Sequence, residues 1–323
     1  KSTCLLCPGG CGILVKKVDE RVIKIEGMPE HPVNDGGVCP LGAAAAQLLY
    51  APTRVKTPMK KVDGHWRRIS WGAALDEIGA ALSQLRESQK SHSVAAICGS
   101  NRGTVAELFK RFLTVYGSPN FIRMPSIQDN YELTLYLTQG VRAMPGFDLA
   151  KSDLVLSFGS GVIEGWMSPV YMFRSKSELT KNGGKFVQIE SRLSKTAAKA
   201  DNWVPIYPGT EGALALGIAH ILLKKGSYHR DAGYSAGFED MKKAVETGFG
   251  PDQVAELTGL DASTISKLAQ QFAAAKRPLA ICGRGGQEGT PGATQEFLAV
   301  HFLNALAGNS NQAGGISAVP EPE

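Results

Sequence analysis

The chain is poor in several things. Its 323 residues contain no apolar run of the ~20 residues that a membrane-spanning helix needs. Strong charge of one sign is missing too: 35 basic against 30 acidic residues leave a net +5. Lys60, Lys61, Arg67 and Arg68 form the only noticeable cluster, which reads as a solvated face and argues against nucleic acid as a partner. Histidine is scarce, and His31, His65, His92, His220, His229 and His301 offer no i, i+4 pair for a helix-borne metal site. Ser157 and Ser160 flank Phe158 and Gly159 without the Gly-x-Ser-x-Gly frame, so a nucleophile elbow is excluded. Repeats and low-complexity tracts are absent. The first residue is Lys1 and no signal peptide follows, so the expectation is a processed protein or a segment of a longer one. The length suffices for two or three domains around a large core.

Cysteine is also scarce, six in all, yet four stand within the first 39 residues. They form Cys4-Leu5-Leu6-Cys7-Pro8-Gly9-Gly10-Cys11, closed by Cys39 in Gly36-Gly37-Val38-Cys39-Pro40. Four thiolates can hold zinc or an iron–sulfur cluster. Zinc ribbons present two short Cys pairs, whereas here one tight loop gives three ligands and a distant loop one. That suits a cubane, in which each iron corner takes one thiolate, and Pro8, Gly9 and Gly10 let the backbone wrap closely. The spacing therefore favours a [4Fe-4S] cluster on Cys4, Cys7, Cys11 and Cys39, with zinc as the alternative and a disulfide pair behind both. Cys98 and Cys282 lie in apolar runs and read as buried, inert thiols.

Along the chain, residues 12–27 alternate as a β-hairpin turning at Asp19-Glu20, and residues 28–37 form a Pro/Gly/Asn loop that returns Cys39. A short helix is expected over 43–50. Helical periodicity covers 71–90, a strand runs over 93–98, and a helix follows over 104–116 after Gly99-Ser100-Asn101-Arg102-Gly103. Strands are expected over 153–158, 185–190 and 278–282. Helices are expected over 212–224, over 262–275 with Asp261 as N-cap, and over 293–306. Strands that end in Gly-rich turns and alternate with helices mean a doubly wound α/β fold, whose turns aim backbone N–H groups at phosphates. Glu190, at a strand end, is placed to bond ribose hydroxyls.

The cysteine frame, with Gly42-Ala43-Ala44-Ala45, Tyr50-Ala51-Pro52-Thr53-Arg54-Val55-Lys56-Thr57-Pro58-Met59 and Trp66-Arg67-Arg68-Ile69-Ser70-Trp71-Gly72-Ala73-Ala74-Leu75-Asp76, resembles the start of molybdopterin oxidoreductases of the dimethyl-sulfoxide-reductase type. The resemblance implies a small N-terminal [4Fe-4S] domain over 1–58, then two doubly wound α/β domains, one inserted in the other. Mapped onto this chain, 59–147 plus 278–323 would form the first and 148–277 the inserted one. A bis-molybdopterin guanine dinucleotide would lie across them. The matching cofactor-binding residues are Gly159, Ser160, Gly161, Glu190, Arg192, Pro208, Gly209, Thr210 and Glu211 in the inserted domain, and Gly99, Ser100, Arg102, Gly283, Arg284 and Gly285 in the other. The family also carries a further C-terminal domain that this chain does not reach.

Two departures from the family pattern bear on function. Active members place Cys, selenocysteine, Ser or Asp as metal ligand where this chain reads Met124-Pro125-Ser126-Ile127-Gln128-Asp129-Asn130. Gln128 falls at the ligand position, and an amide is a poor ligand for a high-valent metal. Asp129 or Ser126 could serve after a small shift. Most active members also carry Lys or Arg two residues after the fourth Cys, where this chain has Leu41. The text around Phe158–Val170 resembles the thiosulfate/polysulfide reductase branch and the large subunits of menaquinone reductases and alternative complex III. The resemblance thus implies an iron–sulfur subunit of a membrane-associated quinone-reducing complex, with a degenerate molybdenum site. Its implied partners are a ferredoxin-like multi-cluster subunit, an integral membrane quinone-binding subunit and a multihaem cytochrome c, and its implied place is the periplasmic face of the inner membrane. The alternatives are an active molybdenum oxidoreductase with Asp129 as ligand, and a zinc-stabilised scaffold without redox chemistry.

Overall fold

The computed structural model describes residues 1–7, 9–99, 103–124, 126–283 and 293–319. The chain opens with β1 (Ser2–Thr3), β2 (Gly12–Val18), β3 (Arg21–Gly27) and the short helix α1 (Pro40–Ala44). Next come α2 (Ala46–Tyr50), β4 (Met59–Val62), β5 (His65–Arg68), α3 (Trp71–Glu87), β6 (Ala95–Cys98), α4 (Thr104–Tyr116) and β7 (Asn120–Arg123). Then follow α5 (Ile127–Gln139), β8 (Met144–Phe147), β9 (Leu154–Phe158), α6 (Pro169–Lys181), β10 (Lys185–Ile189), α7 (Lys195–Ala198) and β11 (Asn202–Val204). The last stretch holds α8 (Glu211–Lys224), α9 (Phe238–Gly248), α10 (Pro251–Thr258), α11 (Ala262–Ala274), β12 (Pro278–Cys282), α12 (Ala293–Ala307) and β13 (Ile316–Val319). Two compact units result, one of Lys1–Ala44 with Ser126–Glu323, the other of Ala45–Pro125.

In the first unit, β2 and β3 form the expected antiparallel hairpin around Asp19, whose positive φ of 51° suits a tight turn. The main core surrounds a four-stranded parallel sheet in the order β11-β10-β9-β12. Every residue of β9 and β12 is buried, as a parallel sheet covered on both faces requires. The reading of a doubly wound α/β fold is thus borne out.

β12 pairs in parallel register with β9, Leu279 opposite Val155 and Ile281 opposite Ser157. β13 also joins this unit, pairing antiparallel with β8. The free edge of β12 is covered by side chains. Asn304 on α12 accepts the Ala280 N–H at 2.9 Å and donates to the Ala280 carbonyl at 2.8 Å, and Asn309 donates to the Pro278 carbonyl at 2.6 Å. Side-chain amides thereby satisfy backbone groups that an edge strand would expose.

The second unit pairs β6 with β7 in parallel, beside α3 and α4. Ser70 caps α3 by accepting the Ala73 N–H at 3.1 Å, and the Tyr116 hydroxyl on α4 donates to the Leu82 carbonyl of α3 at 2.6 Å. The β4–β5 hairpin, which carries Lys60, Lys61, Arg67 and Arg68, is solvent-facing except for the partly covered Val62.

One buried group makes the first unit sensitive to acid. His301 on α12 lies in a small cavity with Tyr131, Thr134, Phe297 and Asn304, and its Nε2 stands 3.3 Å from Gln139 Nε2, which can donate to a neutral ring. Burial depresses its pKa from 6.5 to about 4. The folded state therefore holds it neutral while the unfolded chain takes up a proton below about pH 6.5. Its contribution is complete above that pH and is lost as pH falls toward 4, up to about 3 kcal/mol. Denaturation midpoints at about pH 7 and about pH 4.5 should show the loss, and His301→Gln should remove its share of the slope. An unchanged slope in the variant would place the acid sensitivity elsewhere.

Candidate functional site

The cysteine loops are built from backbone outward. The Cys4 N–H donates to the Cys11 carbonyl at 2.8 Å, extending the β1–β2 ladder and closing the loop between them. Cys39 returns through residues 28–37, which one buried side chain holds. Asn34 accepts the Gly12 N–H at 2.8 Å and donates to the carbonyls of Gly12 at 2.9 Å and Gly37 at 2.7 Å. It ties the strand after Cys11 to the loop before Cys39. The composition of 28–37 suggested a loop but gave no sign that one asparagine fixes both cysteine segments.

Around the thiols the backbone donates to sulfur: Gly9 N–H to Cys7 Sγ and Gly42 N–H to Cys39 Sγ, each at 3.4 Å. A Cβ on Gly42 would stand 3.7 Å from Cys39 Sγ, 3.9 Å from Cys4 Sγ and 2.9 Å from Val38 Cγ2, so this glycine leaves room between two thiols. Burial, and then the neighbouring Cys7, Cys4 and Cys39, push the Cys11 thiol above its ordinary pKa. A group that takes the thiols as thiolates and offsets their mutual repulsion is what this donor set fits. Cys98 and Cys282 are buried elsewhere, as expected of packing residues.

A second feature lies at the carboxyl ends of the parallel strands. The connection out of β9 runs one way to β10 and β11, while β12 adds on the other side. The gap between the loops after β9 and β12 is a topological switch point, where open α/β sheets bind ligands. Gly159, Ser160 and Gly161 leave β9 there and Gly283 leaves β12. A Cβ on Gly283 would stand 2.5 Å from Trp166 Nε1 and 3.2 Å from Ser160 Oγ, so only glycine passes. Among the described residues, Ser160 Oγ, Gln188 Oε1 and Glu190 Oε1 are buried without a hydrogen-bond partner. Such orphans are rare in a finished interior and common where a ligand completes the set. Glu190 is 6% exposed, so it is no surface charge.

Other expected residues distribute around this end. The turn Pro208-Gly209-Thr210 leads into α8, with Gly209 at φ 80° and Glu211 buried in the first helical turn. A Cβ on Gly212 would meet Glu296, and Glu296 lies against Cys282 Sγ at 3.5 Å, which puts this turn near the end of β12. Arg192 is exposed, and Gly99 ends β6 in the other unit. Ser100, Arg102, Arg284 and Gly285 lie outside the described residues. Glu164 was missed by sequence reasoning. Its carboxylate accepts the Thr196 N–H at 3.1 Å and hydroxyl at 3.0 Å, fastening the loop after β9 to α7. Burial pushes its pKa up, but the donors of Thr196, Ser194 and Lys195 outweigh that and hold it below the ordinary carboxylate range.

Gln128 and Asp129 lie in the first turn of α5. Asp129 Oδ2 accepts the Ser126 N–H at 2.8 Å, the return half of a capping box. Ser126 followed three residues later by Asp129 was the available signal. Two residues further, the Tyr131 hydroxyl donates to the Cys282 carbonyl, and Asn130 accepts from Thr294 at 3.0 Å. Gln128 and Asp129 therefore stand at the same end of the sheet as the switch-point crevice.

Comparisons with known proteins agree with this arrangement. Residues 1–51 match the molybdopterin oxidoreductase Fe4S4 domain, and residues 54–319 match molybdopterin oxidoreductase. The menaquinone reductase molybdopterin-binding-like subunit of Nitratidesulfovibrio vulgaris is 37% identical over 320 residues, 98% of this chain and 45% of that protein. The thiosulfate reductase molybdopterin-containing subunit of Salmonella typhimurium is 28% identical over 326 residues, covering 98% and 42%. Acetylene hydratase from Pelobacter acetylenicus superposes with a TM-score of 0.83 at 25% identity, over 97% of this chain and 44% of that one. The chain thus spans less than half the length of these relatives. The matched Fe4S4 domain supports a [4Fe-4S] cluster and contains Cys4, Cys7, Cys11 and Cys39, and the molybdopterin oxidoreductase match is consistent with a molybdopterin cofactor. The chain belongs to the molybdopterin oxidoreductase family.

Proposed function

We propose that this chain is the iron–sulfur part of a molybdopterin-oxidoreductase-like subunit in a membrane-associated quinone-reducing complex, passing electrons through its cluster without molybdenum catalysis. One observation carries the reading. Asp129, the acidic side chain nearest the usual ligand position, has its Oδ2 engaged by the Ser126 N–H at the start of α5. The neighbouring Gln128 offers an amide, which high-valent metals bind poorly. Leu41 supports it from the other side: 58% exposed and apolar, it offers no donor where active members carry a cation.

Cys4, Cys7, Cys11 and Cys39 hold the cluster in this reading. Gly9 and Gly42 donate to its cysteine sulfurs through their N–H groups. Gly159, Ser160, Gly161, Gln188, Glu190 and Gly283 keep a crevice able to take a guanine dinucleotide, with Glu190 toward ribose hydroxyls. A pterin cofactor, when bound, supplies metal-centred redox chemistry; these residues only bind and orient. The 37% identical relative carries a name with both menaquinone reductase and molybdopterin-binding-like in it, which supports the quinone assignment. Partners of that kind are a multi-cluster ferredoxin-like subunit, a membrane quinone-binding subunit and a multihaem cytochrome c, at the periplasmic face. In this proposal the membrane attachment runs through those partners; among the described residues no helix is long and apolar enough to cross a membrane.

The test is metal and nucleotide analysis of the full-length protein, wild type and Asp129→Ala. The expected wild type holds about four irons per chain and no molybdenum or tungsten. The variant should keep that content and lose about 1 kcal/mol of stability, the usual worth of a helix cap. Stoichiometric molybdenum that disappears in Asp129→Ala would reinstate the active oxidoreductase with Asp129 as ligand.

A further inference from the structure

We propose that Ser168 is a positioning residue of the iron–sulfur centre. Its hydroxyl donates a hydrogen bond to sulfur at the Cys7 corner and raises the cluster's reduction potential. The inference rests on the cluster assignment alone and not on the quinone or molybdenum reading.

Ser168 occupies the N-cap of α6, with Pro169 in the first turn. A serine there ordinarily accepts a backbone N–H of the first turn. This one makes no side-chain cap bond, and its Oγ is buried without a hydrogen-bond partner among the described residues. What lies beside it is the cysteine loop. A Cβ built on Gly9 would stand 3.0 Å from Ser168 Oγ and 3.3 Å from Cys7 Sγ. Hydroxyl and thiol thus flank one point, and glycine leaves no side chain between them.

Two further contacts hold the start of α6 in place. A Cβ on Gly37 would meet Val170 Cγ1 at 2.7 Å, so Val170 packs on the loop that returns Cys39. One turn further, Arg174 Nη2 pairs with Asp35 Oδ2 at 2.5 Å. The helix start is therefore fixed against both cysteine loops. The hydroxyl of Ser168, left over from capping, stands beside the same Gly9 position as Cys7 Sγ.

The chemistry has a definite sign. Reduction adds one negative charge to the cluster, and a donor to its sulfur stabilises the reduced form more than the oxidised one. The positive end of α6 acts in the same direction and is unaffected by changing the side chain.

The experiment compares Ser168→Ala, Ser168→Thr and Ser168→Val in the full-length, cluster-loaded protein. Iron per chain is measured, and the midpoint potential is read by a redox titration followed through the EPR signal of the reduced cluster. Thr and Val have the same shape and differ in the hydroxyl. Ala and Val are expected to keep their iron and to shift the one-electron equilibrium about tenfold toward the oxidised form, a fall of about 59 mV. Thr is expected to stay near wild type. Beyond the couplings of the Gly9 and Gly42 N–H groups, which all variants keep, wild type and Thr should show one further proton coupling that vanishes in D2O, and Val should lack it. Equal midpoints in Thr and Val, or that further coupling present in Val, would overturn the proposal. If Ala alone fails to load, the Thr and Val pair decides.

Discussion

Cys39→Ala in the full-length protein abolishes the broad absorption near about 400 nm that marks an iron–sulfur cluster, and most of the bound iron goes with it. Cys98→Ala and Cys282→Ala keep both. The effect is large because the cluster supplies much of what holds the cysteine loops together. Among the described residues of 1–44, the buried apolar side chains are Cys11, Ile13 and Ile25. Fully burying an Ile contributes about 1.5–3 kcal/mol, too little to order some forty residues against their conformational entropy. Metal binding then becomes folding free energy, as in other small metal-dependent domains. Removing one corner leaves three thiolates that repel one another; burial, and then the neighbouring thiols, already raise the pKa of Cys11. The readouts are iron per chain, visible absorption and protease sensitivity of the first 44 residues. Full iron in Cys39→Ala would remove Cys39 from the ligand set.

Much of this site was legible because its chemistry is local. Three cysteines in eight residues and a fourth beside a Gly/Pro turn need no tertiary information to be read as thiolate ligands. The same holds for Gly159-Ser160-Gly161 after an apolar strand, since a strand and a glycine turn are neighbours in sequence. What stayed hidden depends on long-range pairing. Pro278–Cys282 reads plainly as a buried strand, but no pattern within it says that it lies beside β9, more than a hundred residues earlier. The outer edge of that strand is satisfied by Asn304 and Asn309, polar residues on and after an apolar helix that sequence alone would put in solvent. Glu190 shows the same limit. Its position at a strand end was readable; its burial, 6% exposed, was not. Residues 126–129 were a missed opportunity instead, because Ser126 and Asp129 spell a helix start in the sequence itself.

Gly27→Ala should be as damaging as losing a ligand, although Gly27 touches no thiol. It closes β3 opposite Ile13, and a Cβ there would lie 2.3 Å from the carbonyl oxygens of both Gly36 and Gly37. Both obstacles are backbone, so no rotamer change relieves them. The loop cannot slide away cheaply either. Met28 N–H donates to the Gly12 carbonyl at 2.9 Å, Gly36 N–H to the Met28 carbonyl at 2.8 Å, and Asn34 Nδ2 to the Gly37 carbonyl at 2.7 Å. Making room means breaking part of that network and moving Cys39, two residues beyond Gly37, out of register with Cys4 and Cys11. A cost of about 4 kcal/mol is expected, at the top of the range for overpacking, together with substoichiometric iron. Gly183→Ala is the control. Gly183 differs in kind: its φ is positive, 80°, and a Cβ there meets nothing within 4 Å, so only backbone strain of about 1–2 kcal/mol is expected. Iron content and denaturation midpoint, measured on both variants, separate the two effects. If Gly27→Ala behaved like Gly183→Ala and kept its iron, the close approach of β3 to the Gly36-Gly37 backbone would not be what sets the position of Cys39.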